Sequence, residues 1–101
     1  MYKLRYLSLA QKDLESITGY ITDTLKAPQA ALEFVDAVEK ELDQLREYPY
    51  SCRVYQSIKP VDTEYRVLKV KNYLVFYVVL DDIVEVHRVV YGRRNLAQVI
   101  K

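Results

Sequence analysis

The chain of 101 residues contains one cysteine, one histidine, two glycines and no tryptophan. A lone cysteine, Cys52, cannot close an internal disulfide, and with a single histidine there is no Cys/His set to hold zinc. We read Cys52 as an inert thiol in a loop. There is no glycine-rich phosphate loop, and neither HExxH nor GxSxG occurs. No metal site and no cofactor are therefore expected. A run of about eighteen apolar residues is missing too, and the first residues, MYKLRYLSLAQKD, lack the uninterrupted apolar segment of a signal peptide. The expectation is a cytoplasmic protein with no membrane association.

What remains is a compact composition, 50% hydrophobic, of a length that suits one hydrophobic core. Residues 1–101 are expected to form a single domain. The net charge of +1 hides a segregation. Residues 1–52 carry six Lys/Arg against nine Asp/Glu, a net of −3, and residues 53–101 carry nine against five, a net of +4. A basic surface on the second half suits an acidic protein or nucleic acid, although the amplitude is below that of a dedicated nucleic-acid binder.

KLRYL, residues 3–7, alternates charged and apolar side chains and reads as a short strand. Ser8, with Gln11 three residues on, predicts a capping box and a helix start. Ala10, Leu14, Ile17, Ile21 and Leu25 share one helical face, and Gly19 within it suggests close packing. Pro28 is placed to open a second helix, whose stripe is Ala31, Phe34, Val35, Val38, Leu42 and Leu45. The two should pair as an antiparallel hairpin. Residues 49–63 lack a period and form the longest loop. Three β-rich runs follow, EYRVLKV, NYLVFYVVL and DIVEVHRVVY, separated by Lys71-Asn72 and Asp81-Asp82 as hairpin turns. The middle run, Tyr73 to Leu80, should be a central strand covered on both faces. After Gly92 the chain suggests a short terminal helix. The fold class is α+β, in the order βααβββ, with an antiparallel sheet on an N-terminal helical hairpin.

The stretch VEVHRVVYGRRN carries most of the candidate chemistry. Strand alternation puts Arg88 beside Val84, Val86 and Val90, where a guanidinium needs partners. Two readings stay open for it: a structural arginine paired with a carboxylate, or an anion-binding group. Arg93 and Arg94, next to Tyr91 and Gly92, suit phosphates, acidic side chains or stacked bases, with Arg66, Lys69 and Lys71 on the same small sheet. His87 falls on the opposite face, with Ile83, Glu85, Val89 and Tyr91. It has no second imidazole for a metal, and general-base work is the lesser of its readings. Most of the ten tyrosines, Tyr6, Tyr20, Tyr48, Tyr73 and Tyr77 among them, read as core or rim residues.

The helical hairpin, the strand pair YRVLKVKNYLVFY and the ending RVVYGRRN together resemble the RelE/ParE superfamily of bacterial type II toxins, over nearly the whole chain. The resemblance implies a growth-inhibiting toxin of a toxin-antitoxin, or plasmid-stabilisation, system. Its partner would be a cognate antitoxin that wraps over it and alone contacts operator DNA. The resemblance leaves two targets. The RelE and YoeB branch cleaves ribosome-bound messenger RNA, and the ParE branch poisons DNA gyrase with no known enzymatic step. Leu74 stands where the ribonucleases have an arginine, Leu68 where RelE has its second lysine, and Ile100 near RelE's terminal tyrosine. An apolar side chain cannot stabilise charge on a phosphate, so the likeness favours ParE. Arg66, Tyr91 and Arg94 match ribonuclease positions, whereas Val90 stands for YoeB's histidine, with His87 turned to the other face. A ribonuclease would draw its catalytic set from Arg66, Arg88, Tyr91 and Arg94. Contact with target or antitoxin is expected from Arg66, Lys69, Lys71, Tyr91, Arg93 and Arg94.

Overall fold

A computed structural model describes residues 1–56 and 63–92. Among these residues, four strands and two helices follow in the order β1 (Lys3–Tyr6), α1 (Ser8–Gly19), α2 (Pro28–Leu45), β2 (Arg66–Val70), β3 (Tyr73–Leu80) and β4 (Ile83–Tyr91). A π-helical turn, Tyr20–Thr24, separates the helices. The terminal helix expected after Gly92 lies outside the described residues.

The last three strands form the expected meander, β2–β3–β4, through two-residue turns. Lys71 and Asp81, the first residue of each turn, sit at positive φ, 54° and 49°, as such tight reversals require. The sheet is mixed rather than wholly antiparallel. Its order is β1-β4-β3-β2, and β1 joins the outer edge of β4 in parallel, with Tyr6 opposite Val86. The helical pair carries the chain from one edge strand to the other, so β1 can meet β4 without a hairpin between them.

Leu7 donates its N–H to Val86 and so keeps strand geometry, which makes it the N-cap. Ser8 therefore enters the helix proper, and the expected Ser8–Gln11 capping box does not form. Pro28 does open α2, as its ring permits at a first helical position. The stripe Ala31, Phe34, Val38, Leu42 and Leu45 is buried against Ala10, Ile21 and the strand residues Val75, Tyr77, Val84, Val86 and Val89. Gly19 has a helical φ of −63°, and a Cβ there would meet open space. The close packing expected of it is absent.

β3 is covered on both faces, as its apolar run predicts, by two different devices. The helices cover one face. On the far face Tyr55 and Tyr65 lie edge-on to Phe76 and close a small cluster with Val67, Leu74 and Val90. Residues 53–55 extend the sheet beside β2, through a bridge from Val54 to Arg66 and a bond from the Tyr55 N–H to the Tyr65 carbonyl.

Candidate functional site

A β-bulge decides which side chains of β4 face which way. Tyr77 pairs with Val86 and Phe76 with Arg88, so His87 is the extra residue. An extra residue reverses the alternation beyond it. Val84 and Val86 face the helices before the bulge, and Val89 does so after it, while Val90 turns to the far face. This corrects the sequence-based alternation. Arg88 does not share a face with Val84 and Val86 by simple parity, and His87 lies on the same far face as Val90.

Arg88 instead reaches α1. Its Nε donates to Asp13 Oδ2 at 2.7 Å and its Nη2 to Oδ1 at 3.1 Å, and the Val89 N–H donates to Oδ2 at 2.9 Å. β1 stops opposite Val86, so the next backbone donor on that edge of β4 has no strand beside it. The Asp13 carboxylate takes that place and binds the adjacent guanidinium as well. Of the two readings left open for Arg88, the geometry matches the structural pair.

Beside this pair runs a groove of about 950 Å³, between the C-terminal half of α1 with the π turn and the ends of β3 and β4. Ile17, Ile21, Phe34 and Val89 give it an apolar floor, and Lys71, Tyr73, Arg88 and Tyr91 line its strand side. Tyr73 packs on Phe34 at 4.9 Å between ring centroids and edge-on to Tyr91 at 5.6 Å. Burial raises the Tyr73 hydroxyl above its ordinary pKa, and the neighbouring Tyr91 and Tyr20 add to the rise. The Tyr73 phenol is therefore a neutral donor at physiological pH. Tyr91 and Tyr20, 43% and 51% exposed, form an uncovered aromatic rim.

Three of the residues expected from sequence, Lys71, Arg88 and Tyr91, thus meet at one groove. Arg66 and Lys69 do not join them. Arg66 pairs with Tyr77 while Tyr91 pairs with Tyr73, four residues along β3, an offset of about 13 Å along the strands. The Arg66 guanidinium donates to the Cys52 carbonyl at 2.6 Å and lies over the Tyr50 ring. Lys69, three residues further along the strand, faces the other way. Arg93 and Arg94 lie outside the described residues.

A second polar cluster, which the sequence did not single out as a unit, lies on the far face. Glu85 is 8% exposed and binds both Arg5, through Nε at 2.8 Å and through Nη2, and His87, through Nε2 at 2.7 Å. The other ring nitrogen of His87, Nδ1, meets the Tyr65 hydroxyl at 3.2 Å. Burial alone would raise the Glu85 carboxyl, but the bonds from Arg5 and His87 outweigh it and hold the group below its ordinary value. Burial and the Glu85 carboxylate raise Tyr65. The available signal was the alternation of Glu85 with His87 on one strand; Arg5 and Tyr65 come from distant segments. Among the described residues no group of three His, Cys, Asp or Glu is placed to hold a metal ion.

The family model for the ParE toxin of the type II toxin-antitoxin system parDE matches residues 4–96. The chain belongs to the ParE toxin family. Its fold is similar to that in the chromosomal ParDE system from P. aeruginosa, with a TM-score of 0.71 and 18% identity, covering 90% of this chain and 96% of that one. The isolated E. coli RelE toxin superposes with a TM-score of 0.61 at 16% identity, over 98% and 93% of the two chains. RelE in the intact E. coli RelBE toxin-antitoxin complex gives 0.58 at 20% identity, over 93% and 100%. A comparison with curated proteins returned no match. Family and fold together make this ParE-family chain the toxin component of a type II system, with an antitoxin as its partner. Among its described residues no helix is long and apolar enough to cross a membrane.

Proposed function

We propose that this toxin is a poison of DNA gyrase, held inactive in the cytoplasm by an antitoxin segment lying in the groove between α1 and the ends of β3 and β4. The observation that carries the reading is that, among the described residues, the only cations lining the groove with Tyr91 are Lys71 and the Asp13-paired Arg88. Arg66 is tied to the loop carbonyl of Cys52 at the opposite end of the sheet, and Arg88 is neutralised by Asp13. Leu68 packs in the main core and Leu74 in the far-face cluster. Cleavage of a phosphodiester requires preorganised positive charge at the phosphate. What the groove offers instead is an apolar floor and an aromatic rim, with Lys71, Glu33 and the Asp13–Arg88 pair as its charged lining, features that suit a protein surface. Lys71 and Tyr91, with Arg93 and Arg94 beyond them, are the proposed contact residues, and operator DNA would be met only through the antitoxin.

The test is to incubate the toxin, purified free of antitoxin, with gyrase, ATP and plasmid, and to look for trapped cleaved DNA. Cleavage complexes that weaken at least tenfold in a Lys71→Ala/Tyr91→Ala double variant are expected. Intact plasmid in the presence of folded, growth-arresting toxin would refute the reading.

A second reading, messenger RNA cleavage on the ribosome, has its own observation. His87, oriented by buried Glu85, is a histidine held as a general base would be, with Nδ1 at the Tyr65 hydroxyl. It ranks second because the guanidinium in that cluster, Arg5, is committed to Glu85. Cleavage of ribosome-bound message that vanishes in a His87→Gln variant would reverse the ranking.

A further inference from the structure

Charge is segregated along this chain, with a net of −3 over residues 1–52 and +4 over residues 53–101. The fold turns that order in sequence into layers, because both helices come from the first half and β2, β3 and β4 from the second. The groove lies where the two layers part. Its helical wall carries Asp13 and Glu33, and its sheet wall carries Lys71 and Arg88. Asp13 and Arg88 meet at 2.7 Å and leave their end of the groove without net charge. Glu33 and Lys71 are exposed, and among the described residues neither joins an ion pair. One acidic and one basic side chain thus remain, one on each wall, beside an apolar floor.

Neither charge sits on a loose loop. Glu33 precedes Phe34, whose buried ring packs on Tyr73, so this turn of α2 is held against β3. Lys71 opens the two-residue turn between β2 and β3 at φ 54°, and the next residue, Asn72, accepts the Gly92 N–H at 2.9 Å, which ties the turn to the end of β4. A segment that carries one sign of charge is attracted by one wall and repelled by the other. A segment with a carboxylate on one flank and a cation on the other is attracted by both, and like-charge contact works against every other arrangement. We propose that the groove takes an amphipathic segment of the antitoxin whose apolar face is flanked by an acidic residue toward Lys71 and a basic residue toward Glu33. Turning such a segment end for end would exchange its flanks, so the two walls also fix the direction in which it lies. The inference rests on the groove being the antitoxin site.

The test is the affinity of full-length toxin variants for the full-length antitoxin encoded beside the toxin, measured at low and at high salt. Lys71→Glu and Glu33→Lys replace exposed side chains, and the Tm of each variant checks that the fold is kept. Each reversal should weaken binding by about tenfold or more, since like charges brought together at an interface repel strongly. Lys71→Gln and Glu33→Gln, which remove a charge without reversing it, should lose less, and all four effects should shrink as salt rises. One acidic residue of the antitoxin changed to lysine should restore binding to Lys71→Glu. Weaker binding in Lys71→Glu with tighter binding in Glu33→Lys would mean an occupant of a single sign and would overturn the proposal. Tyr91→Ala separates the two readings. If that variant loses affinity while both reversals leave it within twofold, the antitoxin occupies the groove and the charge rule fails. If all three bind as the wild type does, the antitoxin lies elsewhere and both readings fall.

Discussion

On the helical face of the sheet, Asp13 meets Arg88 beside an open groove; on the far face, Glu85 meets Arg5 inside a chain of bonds that continues through His87 to Tyr65. Both pairs combine an arginine with a carboxylate, yet they serve different ends. Asp13 replaces a missing strand, since its carboxylate also holds the Val89 N–H where β1 has ended. Glu85 binds Arg5 and His87, His87 goes on to Tyr65, and this cluster adjoins a small apolar core closed by Tyr55 and Tyr65. The helical side, in contrast, leaves Tyr20, Leu25 and Tyr91 exposed around an apolar floor. The difference shows where this toxin keeps its unsatisfied surface. Among the described residues, the chain's own side chains close the far face, whereas the groove stays open.

The sharpest way to break this comparison is Asp13→Ala. The substitution strands a guanidinium and a backbone donor together, and loss of one partner from a largely buried pair costs about 3 kcal/mol. Equilibrium denaturation should show that loss, whereas Asp13→Asn, which keeps an acceptor for Val89, should lose less. Equal losses in the two variants would mean that the charge, not the strand edge, decides the matter.

Next in size is Glu85→Gln, with an expected cost of about 2 kcal/mol for bonds to a charged acceptor. The pH dependence carries the signature. The Glu85 carboxyl is held below its ordinary value of 4.5, so its contribution is complete above that value and is lost as pH falls through the depressed one. The wild type should therefore lose stability more steeply than the variant as the pH drops below about 4.5. Parallel curves would show that Glu85 contributes nothing linked to protons.

The sequence made the elements and the groove residues legible to different degrees. Spacing alone located both helices, the meander and its two turns, because those features follow from local periodicity and from turn residues. It missed the bulge at His87, which depends on how β3 and β4 align and on Asp13 drawing Arg88 and Val89 toward α1. Hence Val90 and His87 were placed on opposite faces and share one. Lys71 and Tyr91 were expected together and are, since a single hairpin joins them. Arg66 was expected with them and is not, because its position along β2 depends on register rather than on composition. The parallel pairing of β1 depends on the path of the whole chain, which no window of sequence carries.

A smaller effect tests the far face alone. Tyr65→Phe removes one hydroxyl, leaves the edge-on contact with Phe76, and should cost about 1 kcal/mol. If the far face is structural, toxicity should be unchanged in this variant once its stability is allowed for. Loss of toxicity in folded Tyr65→Phe would move the working surface from the groove to the His87 side.

The smallest expected change lies on the groove side and has the opposite sign. Gly19 is helical, its Cβ position faces open space, and it ends α1 where the π turn begins. Gly19→Ala should stabilise the fold by at most about 1 kcal/mol, the difference in helix propensity between the two residues. In a domain of this length that corresponds to a rise in Tm of about 5 °C or less. A fall in Tm instead would show that the π turn needs glycine's freedom at its entrance. The groove wall would then be shaped by backbone conformation as much as by the tyrosines that rim it.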